Sequence, residues 1–322
     1  MPCLYPPIDK VVSYQIEVGG GHRLYVEECG NRDGQPVLFI HGGPGSGCNA
    51  NHRRYFDPTH YRIVLMDQRG CGRSTPLGNV QDNDTYALVE DLETIRRRLD
   101  IQRWILFGGS WGATLALRYA QDNPNAVAAI VLRGSFLARP QDLDWFFGDQ
   151  GAARIFPEAY GNFLGPVPVA ERDDLIAAYH RRIMGADAET AFAWACHWLD
   201  WGGTVTTWTL PTTDRTSVPE PQRLLAKAKI EAHYALNRYF LLDRPLLDTV
   251  GQLPAVPVCI VHGRRDLVCP CAAAATLNQA IPGSRLILVE DAGHPPVEPA
   301  MIDALVGETD RLRQLARIAP AE

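Results

Sequence analysis

A serine flanked by glycines follows a short apolar segment and precedes a helix-forming one. The sequence Gly108-Gly109-Ser110-Trp111-Gly112 lies between the apolar run 104–107 and the segment 113–120, which predicts a strand, a tight turn and a helix. A G-x-S-x-G motif in that setting is typical of a nucleophile elbow, whose strained turn lifts the serine hydroxyl clear of the backbone. Glycines on both sides keep such a turn uncrowded. Ser110 is therefore the predicted nucleophile.

Two later loops offer the base and the acid that a serine nucleophile needs. The apolar run 256–261 is followed by Asp266, and the run 285–289 is followed by His294; both runs are predicted strands. In the α/β-hydrolase fold the chain order is serine, acid, histidine, each after a strand. This order predicts that His294 accepts the Ser110 proton, while Asp266 fixes the tautomer of the ring and stabilises the imidazolium.

Each of these partners has an alternative. Asp266 could cap the helix that follows it, and Asp291 is a second candidate for the acid. Asp291, however, stands three positions before His294, from where its carboxylate has difficulty reaching the far side of the ring. His41 and His262 also follow predicted strands, and we interpret both as residues that shape turns.

A glycine-rich loop earlier in the chain predicts an oxyanion hole. The apolar strand 36–40 leads into His-Gly-Gly-Pro-Gly at 41–45, where backbone N–H groups can approach a ligand without an intervening side chain. In this fold one donor is the N–H of the residue after the nucleophile, here Trp111, and we expect the N–H of Gly43 to be the other. The alternative is a glycine turn with a structural role only.

Nearly the whole sequence resembles the prolyl aminopeptidases, or proline iminopeptidases, of the α/β-hydrolase fold. The markers are HGGPG at 41–45, FDPTHYRIVLMDQRGCGRS at 56–74, FGGSWG at 107–112, VLRGSF at 131–136, VHGRRD at 261–266 and DAGH at 291–294. The resemblance implies a serine peptidase that removes one N-terminal residue, ideally proline, without a metal or an organic cofactor. It assigns the triad and the oxyanion hole to Ser110, Asp266, His294, Gly43 and Trp111.

The resemblance also points to residues that bind the substrate amine. Glu231, in the sequence KIEAHY, matches the family's glutamate for the free N-terminal amine; the alternative is a solvated helix residue in an i,i+4 pair. The family's second glutamate falls at Gly202, where nearby Asp200 is a candidate substitute, and a family tyrosine is replaced by Phe147. These departures weaken the prediction of a strict proline preference.

Composition narrows the function classes. The chain has 322 residues, of which 46% are hydrophobic, and a formal net charge of −6, which argues against nucleic acid or an anionic membrane as partner. The opening segment lacks a continuous apolar region, and no apolar run reaches 18 residues, so we expect neither a signal peptide nor a membrane span. Eight cysteines in so long a chain are expected to be reduced thiols in the cytoplasm, and Cys269-Pro270-Cys271 lacks the spacing of a zinc site.

Strand and helix patterns alternate at both ends of the chain but not in its middle. Residues 1–138 are predicted to form the first part of an α/β-hydrolase core, with a hairpin near residues 18–21, a helix at 86–99 and a strand at 128–132. Residues 139–246 are rich in tryptophan and are predicted to form a helical cap, whose aromatic side chains mostly serve its own core. Residues 247–322 are predicted to complete the sheet.

These inferences predict a cytoplasmic serine aminopeptidase that cleaves the first amide of a peptide, or of an aminoacyl amide, with a free N-terminal amine. Two alternatives remain. One is an amide hydrolase that removes an aminoacyl group from a small metabolite, and the other is a non-catalytic α/β-hydrolase-fold binding protein. Epoxide hydrolases and haloalkane dehalogenases fit less well, since they have aspartate where this chain has Ser110. The sequence predicts no oligomeric state.

Overall fold

The protein is built on one eight-stranded sheet. The computed structural model describes residues 4–185, 187–210 and 220–318. The spatial order of the strands is β1-β2-β4-β3-β5-β6-β7-β8; β2 is antiparallel to both of its neighbours, and all other pairs are parallel. The strands are β1 Val11–Glu17, β2 Arg23–Gly30, β3 Gln35–Ile40, β4 Tyr61–Met66, β5 Trp104–Gly109, β6 Val127–Arg133, β7 Val258–Gly263 and β8 Arg285–Val289. This arrangement confirms the predicted α/β fold with a mostly parallel sheet.

Helices cover both faces of the sheet, which explains why the central strands are apolar along their whole length. Alternate residues of β3 enter opposite cores: Leu38 and Ile40 pack in the core shared with α1, α2 and α8, whereas Val37 and Phe39 pack in the core shared with α9. The α-helices of the described residues are α1 Thr85–Arg98, α2 Trp111–Asp122, α3 Pro140–Phe147, α4 Pro157–Leu164, α5 Leu175–Gly185, α6 Ala188–Thr207, α7 Pro221–Leu236, α8 Cys271–Ala280 and α9 Pro299–Ile318.

Five of these helices, α3 to α7, lie between β6 and β7 in the chain and form a helical region that runs from Pro140 to Leu236. The aromatic residues of this region pack mainly on one another, as in the stacked rings of Phe163 and Tyr179, whose centroids are 4.5 Å apart. Two indoles connect the region to the core, because Trp145 donates to the carbonyl of Leu267 and Trp208 to that of Arg265.

Predicted and observed element ends differ by one to two residues at several positions. The helix after the elbow begins at Trp111 rather than near residue 113, and the preceding strand continues to Gly109, which pairs with Arg133 of β6. Glycines weaken the hydrophobic pattern at this junction, so the pattern alone places both ends too far from Ser110.

In the described part of the chain, no helix combines the length and hydropathy needed to cross a bilayer.

Candidate active site

Ser110 occupies the strained turn between β5 and α2. Its backbone has φ 56° and ψ −123°, a conformation that non-glycine residues rarely adopt. The turn is held because the Ser110 N–H donates to the Arg133 carbonyl at 2.8 Å. A Cβ atom on Gly108 would lie 2.2 Å from the carbonyl oxygen of Gly112. A Cβ atom on Gly112 would lie 2.1 Å from the Ile40 carbonyl oxygen of β3. Both outer glycines of the motif are therefore required by the close approach of α2 to neighbouring strands.

His294 and Asp266 lie together beside this turn. The Nδ1 atom of His294 is 2.7 Å from Oδ2 of Asp266, and both residues are buried. The other carboxylate oxygen of Asp266 accepts the N–H groups of Val268 and Cys269. Burial raises the pKa of the Asp266 carboxyl, but His294, His262 and the hydrogen bond from the Cys269 N–H together outweigh burial, so the pKa lies below its usual value. An ionised Asp266 leaves Nε2 of His294 as the ring nitrogen available for a proton from Ser110.

The structure does not support the two alternatives, in which Asp291 is the acid or Asp266 caps a helix. Asp291 is exposed and pairs with the guanidinium of Arg265 at 2.7 Å, away from the His294 ring. Asp266 does not cap α8, since the amides that it binds belong to the loop before that helix begins at Cys271.

The close packing around the pair also involves Gly134, which follows β6 and has φ 55°. A Cβ atom there would lie 3.2 Å from both Asp266 Oδ2 and His294 Cε1. Glycine at this position thus leaves room for the histidine and the carboxylate to meet.

The two other histidines that follow strands are buried and use both ring nitrogens to hold loops. His262 accepts the N–H of Ser135 and lies 2.7 Å from the carbonyl of Cys269, which fixes the loop that carries Asp266. His41 accepts the N–H of Gln68 at Nε2, so its Nδ1 carries the hydrogen that is donated to the Gly42 carbonyl. Burial lowers the pKa of both imidazoles, and each is neutral near pH 7.

The glycine-rich loop after β3 packs directly against the elbow. A Cβ atom on Gly42 would lie 2.9 Å from the Gly109 carbonyl and 3.2 Å from Cβ of Ser110. Gly43, next in this loop, has φ 111°, a backbone conformation suited to glycine. Trp111 is the first residue of α2, so its N–H has no acceptor within the helix. Both predicted oxyanion donors therefore belong to segments that meet at Ser110.

Gln68, which follows β4 and was not singled out by the sequence analysis, joins these two segments. Its amide nitrogen donates to the His41 carbonyl at 2.8 Å, and its amide oxygen accepts the indole N–H of Trp111 at 2.8 Å. Gln68 is 2% exposed, so neither bond competes with solvent. The side chain therefore joins the glycine-rich loop to the start of α2, the two segments that carry the predicted oxyanion donors.

Ser110 and His294 open into one cavity of about 540 Å³. One wall comes from the helical region and the other from the face of the core that α9 covers. The first wall includes Phe146, Phe147, Trp198, Leu199, Lys227 and Glu231, and the second includes Asn49, His52, Tyr55, Arg133, Pro295 and Pro296. No cluster of three or more histidine, cysteine, aspartate or glutamate side chains suited to a metal ion occurs among the described residues.

Comparison with known proteins shows the family to which the chain belongs. A family profile described as "alpha/beta hydrolase fold" matches residues 35–299. The chain is 45% identical to a proline iminopeptidase of Xylella fastidiosa, over 96% of this chain and 99% of that protein. It is 42% identical to a proline iminopeptidase of Arabidopsis thaliana, over 97% of this chain and 82% of that protein. The chain belongs to the proline iminopeptidase family.

Solved structures agree on the fold. An esterase from Exiguobacterium antarcticum superposes with a TM-score of 0.58, over 95% of this chain and the whole of that chain, at 22% sequence identity. At that identity the likeness concerns the α/β-hydrolase architecture alone.

In this member of the proline iminopeptidase family, Glu231 lies in the cavity that contains Ser110. Its Oε2 accepts the indole N–H of Trp198 at 2.9 Å, and its Oε1 is 3.6 Å from the ammonium of Lys227, one turn earlier on α7. The i,i+4 pair considered in the sequence analysis is thus present, but it stands in the cavity wall rather than on a fully solvated surface. Among the tryptophans of the helical region, Trp198 lines the cavity.

The two departures from the family pattern have different outcomes. Gly202, which the sequence predicts to correspond to the family's second glutamate, lines the cavity and contributes no carboxylate to it. Asp200 is exposed and does not line the cavity, because two residues along α6 turn its side chain away; the structure does not bring it to the site. Phe147 is buried in the cavity wall against Trp198, with ring centroids 4.9 Å apart.

The seven cysteines of the described residues are free, and Cys3 lies outside those residues. Cys269 lines the same cavity as Ser110. Burial raises the pKa of this thiol well above its usual value, and the charge of Asp266 raises it further. Cys271 is half-buried and does not line the cavity.

These positions predict how thiol reagents act. An organic mercurial that reaches Cys269 is expected to block the cavity and abolish activity, whereas iodoacetamide should react slowly at pH 7 because the thiol is neutral. The Cys269→Ser, Cys271→Ser protein is expected to stay active and lose its sensitivity, and Cys271→Ser alone is expected to stay sensitive. Residual activity after mercurial treatment measures this. An inactive but folded double variant, judged by circular dichroism, would show that the thiols have a larger role.

Proposed function

We propose that the chain is a serine aminopeptidase that releases an N-terminal residue, preferably proline, from peptides or aminoacyl amides. The observation that carries this proposal is that Glu231 lies in the same cavity as Ser110 and the His294–Asp266 pair. A carboxylate in that place can bind the substrate ammonium by a charge-assisted hydrogen bond. The relatives named above, which are proline iminopeptidases, support the same activity.

In the proposed mechanism His294 takes the Ser110 proton while the hydroxyl oxygen attacks the first carbonyl of the substrate. The N–H groups of Trp111 and Gly43 stabilise the oxyanion. His294 then gives its proton to the leaving amine, which leaves the aminoacyl group on Ser110. Water hydrolyses this ester by the same proton transfers in reverse order. Asp266 stabilises the imidazolium that forms in both halves of the reaction.

We propose that residues 139–246 act as a cap on a core formed by 1–138 and 247–322, since the cavity lies between residues of both. In that arrangement the cap supplies the amine-binding wall, and the core supplies the reacting groups. We also propose a cytoplasmic location, which the free cysteines support.

The direct test uses purified protein with prolyl and alanyl anilides and a fluorophosphonate probe. We expect hydrolysis of the free prolyl anilide and covalent labelling of Ser110, detected by peptide mass spectrometry. Labelling without hydrolysis of any aminoacyl substrate would reject the aminopeptidase. Absence of both would favour a non-catalytic binding protein.

A second candidate is an amide hydrolase that removes an aminoacyl group from a small metabolite. The observation in its favour is the altered amine site, where Lys227 already pairs with Glu231 and Gly202 contributes no carboxylate. The ion pair is long, at 3.6 Å, and its Lys227 side chain is partly exposed, so it contributes little energy. A substrate ammonium can therefore displace Lys227. Comparing prolyl peptides with a panel of small aminoacyl amides decides between the two substrates by their kcat/KM.

Gln68 provides a further prediction. Gln68→Leu is expected to lower kcat about tenfold, because the loops carrying Gly43 and Trp111 lose the amide that joins them and the oxyanion donors lose part of their alignment. KM should change little. Parallel urea unfolding of the variant separates this effect from a loss of fold. An unchanged kcat would show that the two loops hold their positions without Gln68.

A further inference from the structure

Arg133 is a buried cation without a carboxylate partner. It is the last residue of β6 and is 8% exposed. Its Nη1 donates to the backbone carbonyl of His294 at 2.6 Å, and within the described ranges no acidic side chain lies within ion-pair distance of its guanidinium. The remaining exposed surface faces the cavity, because Arg133 is one of the lining residues.

A buried guanidinium destabilises a protein unless an anion pairs with it. Removing the guanidinium from water costs a large desolvation free energy, which one hydrogen bond to a neutral carbonyl offsets only in part. Asp266 is near enough for its charge to act on Arg133, but its oxygens are used by His294 and two backbone amides. The environment therefore favours an anion that enters from the cavity.

The position of Arg133 relates this anion to the leaving group. His294 must touch the scissile nitrogen to protonate it, and Arg133 is bonded to the backbone of that same residue. Pro295 and Pro296, which follow His294, also line the cavity, and Glu231 lines it from α7. An amine bound at Glu231 and a leaving group protonated by His294 therefore contact different segments of the chain.

We propose that Arg133 forms a subsite for the carboxylate of the leaving amino acid, so that the enzyme prefers free dipeptides to longer or amidated substrates. In a dipeptide the carboxyl carbon is two bonds, about 2.5 Å, from the scissile nitrogen. A leaving residue protonated by the His294 ring therefore keeps its carboxylate close to the residue whose backbone carbonyl Arg133 binds. A planar guanidinium suits a carboxylate because it offers two parallel N–H donors. The subsite rests on the proposed function, since it needs Ser110 to cleave an aminoacyl bond.

The experiment compares prolylglycine with prolylglycinamide in four proteins: the unaltered enzyme, Arg133→Gln, Arg133→Lys and Arg103→Gln. Glutamine keeps a donor for the His294 carbonyl but no charge, and lysine keeps the charge. Arg103 is the matched control, because its guanidinium binds the carbonyl of Val127 at the opposite end of β6, remote from the cavity. The measured quantity is the ratio of kcat/KM for the dipeptide to that for its amide, which cancels losses common to both substrates.

We expect Arg133→Gln to lower this ratio at least about tenfold, the scale of one lost charged hydrogen bond. Arg133→Lys should keep part of the preference for the dipeptide over its amide, and Arg103→Gln should have the same ratio as the unaltered enzyme. An equal loss on both substrates, or an unchanged ratio, would show that Arg133 only positions His294 and would overturn the subsite. If neither substrate is cleaved by the unaltered enzyme, it is the proposed aminopeptidase activity that fails.

A measurement on the unaltered enzyme covers the case in which Arg133→Gln does not fold. Glycine and glycinamide are compared as inhibitors of prolyl anilide hydrolysis, since each can bind in the place of the leaving amino acid. Stronger inhibition by glycine, by about tenfold or more, supports the subsite. Equal inhibition by the two compounds contradicts it.

Discussion

Replacing Ser110 with alanine is expected to lower kcat by roughly 10⁴- to 10⁶-fold, with little change in the binding of substrate. The reason is that the acyl-enzyme cannot form without the hydroxyl, whereas the cap wall and the oxyanion donors remain in place. Hydrolysis of prolyl anilide, measured with enough protein to detect the residual rate, gives the size of the loss. Alanine has to adopt the same φ of 56°, so thermal unfolding is measured in parallel.

His294→Ala is expected to cause a loss of similar size, and the Ser110→Ala, His294→Ala protein should be hardly worse than either single variant. Residues that act as one unit give non-additive losses, because the second change removes a step that has already been disabled. Asp291→Ala is the control for the alternative in which Asp291 is the acid. It should keep near-native activity, because the structure places Asp291 in an exposed ion pair with Arg265. Near-native activity in Ser110→Ala would remove the central claim of the mechanism.

The parts of this site that follow strands could be predicted because the fold restricts them to a few positions along the chain. Ser110, Asp266 and His294 each stand at the end of an apolar run, and parallel strands bring those ends to the same edge of the sheet. The elbow glycines carry a local signal as well, since Gly108 allows the close approach of β5 to α2 and Gly112 that of β3 to α2. Local pattern and chain order were sufficient to predict that these residues lie at one edge of the sheet, and their catalytic roles stay a prediction.

Gln68 and Arg133 were missed for a physical reason. Neither residue type signals a role in sequence. Gln68 contacts Trp111, which is 43 positions later in the chain, and Arg133 contacts His294, which is 161 positions later. Their function depends on these contacts. A polar residue at the end of a buried strand, or just beyond it, was the available signal: Gln68 comes two residues after β4 ends, and Arg133 is the last residue of β6. The same limit applies to Asp200, because the alignment of a motif fixes the neighbourhood of a residue but not the side of the helix on which it lies.

A free amine on the substrate is expected to matter for turnover. N-acetylprolyl anilide should be cleaved at least about 30-fold more slowly in kcat/KM than free prolyl anilide, which corresponds to about 2 kcal/mol. The acetyl group removes the positive charge, so Glu231 loses the ammonium that displaces Lys227. With Gly202 in place of a second carboxylate, the preference for proline over alanine should be smaller than this preference for a free amine.

The role of Glu231 is tested by Glu231→Gln, with Asp200→Asn as the matched control on the neighbouring helix. Glutamine can still accept the Trp198 indole N–H, so the variant removes the charge and keeps the main packing contact. We expect a loss of about 30-fold in kcat/KM for the free substrate and almost none for the acetylated one, whereas Asp200→Asn should affect neither, because Asp200 is exposed outside the cavity. Equal turnover of free and acetylated substrates by the unaltered enzyme would reject the amine-recognition role. It would favour a general esterase or amidase that uses the same serine, histidine and aspartate.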